Sequence, residues 1–215
     1  MKGQFFPIRD ENVSDKTPYM TYSLILVNIL VFIYSLFDFR YIIANFGYIP
    51  ARAAVLTTMT SMFLHGDPIH IAVNMWYLHI FGDNIESAFG SFKFLLFYIF
   101  SGFSAVLIHH ATNFNSVIPI IGASGAVSGI LGAYFVLYQH VKIKAIGFYS
   151  LWTLPTSIVI GSWFALQLIY GFLSLSADIS DIAFWAHLGG FLFGALIGVI
   201  FNRMYWKKLD KKYDK

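Results

Sequence analysis

Six apolar runs, each near the length needed to cross a bilayer, constrain this 215-residue chain more than any other feature. They cover about residues 21–37, 69–88, 92–112, 122–140, 154–173 and 182–202. A hydrocarbon core of about 30 Å takes roughly 20 helical residues to span. Only helices or closed barrels satisfy their backbone there, and runs of this length are helical. The second run is the most polar, with "HIAVNMWYLHIFGDNIE", but its polar groups gather at its two ends. The composition agrees: 58% of residues are hydrophobic and 12% charged, against about 25% charged in soluble domains. The sequence therefore predicts an all-α polytopic membrane protein with six transmembrane helices. Residues 1–17 form a short N-terminal segment, 18–203 the membrane domain, and 204–215 a basic tail. The mixed leader "RDENVSDK" and the lack of a small-x-small cleavage site make the first run a retained helix rather than a signal peptide.

Charge placement orients the bundle. With six spans both termini lie on one side. The segments on that side hold Lys2, Arg9, Lys16, Lys93, Lys142, Lys144 and six tail cations, twelve in all, against Arg40 and Arg52 opposite. The positive-inside rule places both termini in the cytoplasm, and the plasma membrane of a prokaryote is the expected location. The basic tail is a membrane-flanking feature, so no nucleic-acid partner is expected. The first outer loop, about 38–68, is too apolar to float in water ("GYIPARAAVLTTMTSMFLHGD") and is expected to lie at the interface as short helices.

Ionisable and polar groups inside a bilayer are costly and point to function. His70 and Asn74 share a helix face near the outer end of the second run. Ser124 opens the fourth run, and His187 lies five residues into the sixth. The orientation, set from Lys and Arg alone, brings all four to the outer half. A serine hydroxyl needs a base within hydrogen-bond reach, and a neutral imidazole suits that role. The Asn74 amide, His70 and the Ser124 backbone N–H could supply oxyanion donors. No Asp or Glu lies inside a run: Asp83 and Glu86 sit at the cytoplasmic end, and Asp67, Asp178 and Asp181 in outer loops. A Ser–His dyad is therefore expected rather than a triad. Ala126 stands where the soluble nucleophile elbow needs Gly, so that motif is absent.

Small residues at four-residue spacing also serve helix packing in membranes. Gly125 with Gly129, Ser128 with Gly132, and Gly190 with Gly194 and Gly198 fit that pattern. Ordinary helices pack about 8–10 Å apart, so glycines on both helices are expected to draw Ser124 close to His187. His65, His109 and His110 fall near the outer face, but without a diagnostic ligand spacing no metal is expected. With no cysteines, thiolate chemistry is excluded, and no cofactor is needed.

"HGDPIHIAVNMWYLHIFGDNIE", "GASG" and "AHLGGFLFG", in that order across six runs, resemble the three signatures of the rhomboid intramembrane serine proteases. The resemblance implies Ser124 as nucleophile, His187 as base, and His70 with Asn74 at the oxyanion hole. Gly122 matches the first glycine of the serine motif. It also implies cleavage of membrane-protein substrates, single-span ones included, within the lipid bilayer near the outer face, with the fifth helix as a lateral gate. Two positions depart from the family. Ser128 stands where some members carry a Tyr that stacks on the catalytic His, which leaves packing near Trp185 to orient His187. Arg52 stands without the Trp partner that anchors the first loop in many members. Two other readings use the same features: an inactive rhomboid-like protein that binds transmembrane helices, and a His-lined metal or proton transporter. The first would be expected to have lost Ser or His, and the second would need polar groups through the full membrane depth.

Overall fold

The computed structural model describes residues 5–12, 16–147, 150–175 and 182–213, with side chains of the last helix described to residue 203. Asp178 and Asp181 lie outside the described residues. Among the described residues eight α-helices dominate: α1 (Tyr19–Ser35), α2 (Phe39–Phe46), α3 (Val55–Thr60), α4 (Pro68–Phe89), α5 (Ser91–Asn113), α6 (Ser124–Leu137), α7 (Thr156–Ser174) and α8 (Phe184–Tyr213). α5, α7 and the Phe184–Arg203 part of α8 are long and apolar enough to cross a membrane. α1 and α6 are shorter apolar helices, and α4 is as long as a span but carries the polar ends seen in its sequence. Leu26, Leu30, Phe100, Leu107, Ile169, Phe172, Leu192 and Leu196 stand exposed on these helices. Water would not tolerate such a surface, whereas acyl chains do, and the chain is an integral membrane protein.

The all-α expectation needs one correction. Strands β1 (Phe6–Asp10), β2 (Lys142–Gly147) and β3 (Ser150–Pro155) form an antiparallel sheet in the order β1-β2-β3. β2 reads Lys-Ile-Lys-Ala-Ile-Gly, with Ile143, Ala145 and Gly147 buried on one face, the period of two that a half-buried strand requires. The fourth apolar run accordingly stops being helical early: Tyr138 leaves the helix at φ −126°, ψ 32°. Residues 6–10, part of the N-terminal segment in the sequence reading, pair with β2 through Phe6↔Ile146 and Asp10↔Ile143. β1 also lies along α4. Phe6 stacks on Trp76, whose indole N–H donates to the Pro7 carbonyl at 2.8 Å. Asp10 accepts from Asn84 at 2.8 Å and from the Tyr134 hydroxyl. Burial holds its carboxyl above the usual carboxylate range, and those two hydrogen bonds partly oppose the shift.

The first outer loop folds as α2, a 3-10 turn at Pro50–Arg52, α3 and a second 3-10 turn at Ser61–Phe63. Backbone hydrogen bonds to the segment before α6 anchor it without a Trp–Arg pair. Tyr48 and Ile120 exchange N–H···O bonds of 3.1 and 2.8 Å, and Ala51 N–H donates to Ser116. The Tyr48 hydroxyl bonds His110 Nδ1 at 2.9 Å.

α6 and α8 form the centre of the bundle, and their contact is backbone on backbone. A Cβ on Gly190 would sit 1.9 Å from the Gly125 carbonyl oxygen, and one on Gly194 1.8 Å from that of Gly129. α5 closes the third side: a Cβ on Gly125 would meet that of Ala105 at 2.5 Å, and Ser104 Oγ donates to the Gly189 carbonyl at 3.1 Å.

Candidate active site

Local sequence sets up each part of the site. In "GDPIH", the Asp67 carboxylate accepts from Ile69 and His70 N–H, both at 2.8 Å, and Pro68 occupies the first helical position. A side-chain cap followed by proline is a strong helix start, and it fixes His70 on the first turn of α4. His70 Nδ1 accepts the Gly66 N–H at 3.3 Å. In the neutral ring Nε2 then carries the proton and is a donor.

The turn before α6 depends on Gly122, at φ +121°, in the region that favours glycine. Its N–H donates to the Ser61 carbonyl at 2.9 Å, tying the turn to the first outer loop. A Cβ there would lie 2.7 Å from His70 Nε2 and 3.7 Å from Ser124 Oγ. The His70 donor and the Ser124 hydroxyl thus flank a space that only glycine leaves open. The next N–H, of Ala123, points at His65 Nε2 at 3.4 Å. α6 begins at Ser124 with no side-chain cap. Its first N–H groups lack intrahelical acceptors, and the positive end of the helix dipole faces the site.

His187, on the first turn of α8, lies with Nε2 2.9 Å from Ser124 Oγ. Its Nδ1 is 3.0 Å from Gln167 Oε1, on α7. Trp163, one turn before Gln167, packs its ring 6.2 Å from the imidazole. Trp185 is not the group that orients His187. It meets Phe172 edge-on at 5.5 Å, away from the imidazole.

The structure therefore brings Ser124, His187, His70 and Gly122 together, and it places Gly125 and Gly190 directly beneath, with Gly194 one turn deeper. Asn74 is close but engaged elsewhere: its Nδ2 donates to the His70 carbonyl at 2.9 Å. Ser128 Oγ donates to the Ser124 carbonyl at 2.6 Å, one turn deeper, and does not touch the imidazole. A small apolar cavity opens beside Ser124, walled by Met62, Val106, Ile121, Gly122 and Ala186 among others. Among the described residues, no group of three His, Asp or Glu is arranged to hold a metal ion.

Two residues went unassigned in the sequence reading. Gln167 is the single amide of the fifth apolar run, and the rule that flags costly polar groups in membranes applied to it as well as to His70. His65 is fully buried and packs edge-on against His70 at 5.1 Å between ring centres. Nothing in its spacing announces that role, since its partner is a backbone N–H 58 residues away.

A hydroxyl 2.9 Å from an imidazole nitrogen, at the start of a helix whose first N–H groups lack intrahelical acceptors, is an arrangement suited to acyl transfer. The model of the Rhomboid domain family matches residues 52–204. RHOMBOID-like protein 1 of Arabidopsis thaliana is 35% identical over 143 residues, 66% of this chain and 33% of that protein. Rhomboid protease AarA of Providencia stuartii is 31% identical over 163 residues, 66% of this chain and 54% of its own length. Rhomboid protease GlpG of Haemophilus influenzae is 25% identical over 176 residues, 80% of this chain and 83% of that protein. Against the first two, the chain spans a third to about half of the relative's length. With the family model covering most of its membrane helices, the chain belongs to the rhomboid family.

Proposed function

We propose that the protein is an intramembrane serine endopeptidase, hydrolysing peptide bonds within or near transmembrane segments of membrane-protein substrates. The observation that carries this reading is the 2.9 Å contact between Ser124 Oγ and His187 Nε2. In the proposed reaction His187 takes the Ser124 proton as Oγ attacks the scissile carbonyl. The oxyanion is met by the Ser124 N–H and the His70 Nε2–H, with Asn74 as a third donor once its amide is released from the His70 carbonyl. His187 then protonates the leaving amine, and water repeats the sequence on the acyl-enzyme. The small cavity beside Ser124 suits a small side chain at the cleaved bond.

The finer topology belongs to the same proposal: six spans, with α4 and the short α1 and α6 among them, and both termini cytoplasmic in a prokaryotic plasma membrane. It rests on the distribution of Lys and Arg. Relatives such as Rhomboid protein 1, mitochondrial, of Saccharomyces cerevisiae carry an organelle in their names. A binder of transmembrane helices without catalysis has no use for a serine hydroxyl held on an imidazole, and nothing at the site favours that reading over hydrolysis.

The test is cleavage of a single-span substrate by purified protein in liposomes. Ser124→Ala and His187→Ala are each expected to reduce cleavage to background with the fold intact. Asn74→Ala should cause a partial loss, no larger than the ~10²–10³-fold that one oxyanion donor typically supplies. Undiminished cleavage by Ser124→Ala would sink the proposal.

A further inference from the structure

We infer that Gln167 is a positioning residue for the reaction: its side-chain oxygen fixes His187 in the tautomer with hydrogen on Nδ1, leaving Nε2 free to accept the proton of Ser124. The inference rests on the assignment of Ser124 as nucleophile and His187 as base.

The geometry leads there in three steps. Gln167 is 6% exposed on a helix whose outer face is apolar. A buried amide costs stability unless it is hydrogen-bonded, and the partner it meets is His187 Nδ1 at 3.0 Å. An amide oxygen only accepts, so Nδ1 must be the protonated nitrogen of the neutral ring. Nε2 is then a lone pair facing the Ser124 hydroxyl at 2.9 Å. With the hydrogen on Nε2 instead, the ring would be a donor toward Ser124 and could take no proton from it.

The second step concerns what holds the ring plane. Trp163 and Gln167 are four residues apart, on one face of α7, and both meet the imidazole, one by ring contact and one by the hydrogen bond. Gly171, a further turn on, keeps the same face against α8, with Leu188 and Phe184 at ordinary contact distance from where a Cβ would be. α6 supplies no such clamp, because the Ser128 hydroxyl is spent on the Ser124 carbonyl.

The third step is charge. The titratable groups acting on His187 are the imidazoles of His70, from α4, and His109, from α5. α6 contributes the Ser124 hydroxyl, and α7 the neutral Gln167 and Trp163. Among the described residues no carboxylate faces the ring. A neutral amide therefore does the orienting without stabilising the imidazolium by charge, and this separates its effect from that of an Asp in a triad.

The difference is measurable. Gln167→Leu removes the acceptor at similar size, and Gln167→Glu keeps it and adds a charge. For substrate cleavage in liposomes, Gln167→Leu is expected to lower kcat about 10–10²-fold, with KM unchanged within about twofold and thermal unfolding near wild type. Gln167→Glu should retain most of kcat and shift the acid limb of kcat/KM upward by about one pH unit or more, because a carboxylate beside an imidazole favours its protonated form. A packing residue would not move a pH profile. Wild-type kcat in Gln167→Leu, or an unshifted acid limb in Gln167→Glu, overturns the inference, and the second readout stands even if the leucine variant fails to fold. Ser124→Ala in the same panel separates the two assignments. If it remains active, the nucleophile assignment falls; if it is dead while Gln167→Leu is fully active, only the positioning role falls.

Discussion

At the scale of single residues, the site is assembled by groups that satisfy one another's second valence. His187 spends one nitrogen on Ser124 and the other on Gln167. His70 spends Nδ1 on Gly66 and turns Nε2 to the space beside Gly122. His65 accepts the Ala123 N–H in the turn before α6. Burial, with the nearby His70 imidazole, pushes His65 down from 6.5 to about 4. Its ring thus stays neutral in the fold at pH values where the unfolded chain would be protonated. Between about pH 6.5 and 4 the unfolded state binds more protons at this position, so the contribution of His65 to stability falls as pH is lowered through that window. The loss attributable to His65 is of order 3 kcal/mol at the foot of the window. In His65→Gln, which keeps an acceptor for Ala123 N–H but does not titrate, the stability–pH curve should be flatter over this range. Chemical unfolding in detergent at several pH values measures it, and identical slopes in both proteins would remove His65 from the account. The grouping of Ser124, His187 and His70 was legible in the sequence because membrane helices carry few polar groups. Gln167 was equally legible by that rule. His65 was not, because its partner is a main-chain N–H that only the folded turn presents.

At the scale of elements, the site depends on how closely α6 and α8 approach. The glycine pattern in "GASGAVSG" and "AHLGGFLFG" shows in sequence that two helices pack tightly, and the structure supplies the dimension. A Cβ added at Gly190 or Gly194 would lie under 2 Å from a carbonyl oxygen, so no rotamer change relieves the clash. Gly190→Ala and Gly194→Ala are therefore expected to lower thermal stability by several °C or more, and to reduce cleavage even where the protein still folds. Gly171→Ala, on the α7 face nearby, meets nothing closer than 3.4 Å and should be close to wild type in both. Thermal scanning and cleavage assays on the three variants decide it; equal tolerance at 190, 194 and 171 would mean the helices are not held in backbone contact. The small sheet was less legible. Its strands have five or six residues, and β1 pairs with a strand about 140 positions away in sequence. The lysines of β2 read as loop charges, and only the alternation of buried Ile143 and Ala145 with Lys142 and Lys144 marks a strand. Tertiary pairing, not local propensity, ends α6 early and makes this sheet.

At the scale of the whole molecule, the proposed orientation rests on electrostatics acting on short loops. It has a mechanistic consequence, because the Ser124 end of α6 and the first turns of α4 and α8 share one side of the bundle. The opposite side holds a polar set of its own: the Glu86 carboxylate accepts from Thr21 N–H at 2.7 Å and from Ser91 Oγ at 2.6 Å, and Asn84 bridges to Asp10 at 2.8 Å. These groups tie α1, α4, α5 and β1 together at one end, opposite the end that holds Ser124 and His187. The two sides can be told apart directly, since the chain has no cysteine to interfere. Val117 is exposed in the segment before α6, at the site's end, and His140 is exposed in the turn before β2, at the other. In intact cells a membrane-impermeant maleimide is expected to label Val117→Cys, and to label His140→Cys only after permeabilisation. Neither residue takes part in the site, so activity should be preserved and the labelling should report the native orientation. The reverse labelling pattern would put Ser124 at the cytoplasmic face and require that substrates be cut on that side.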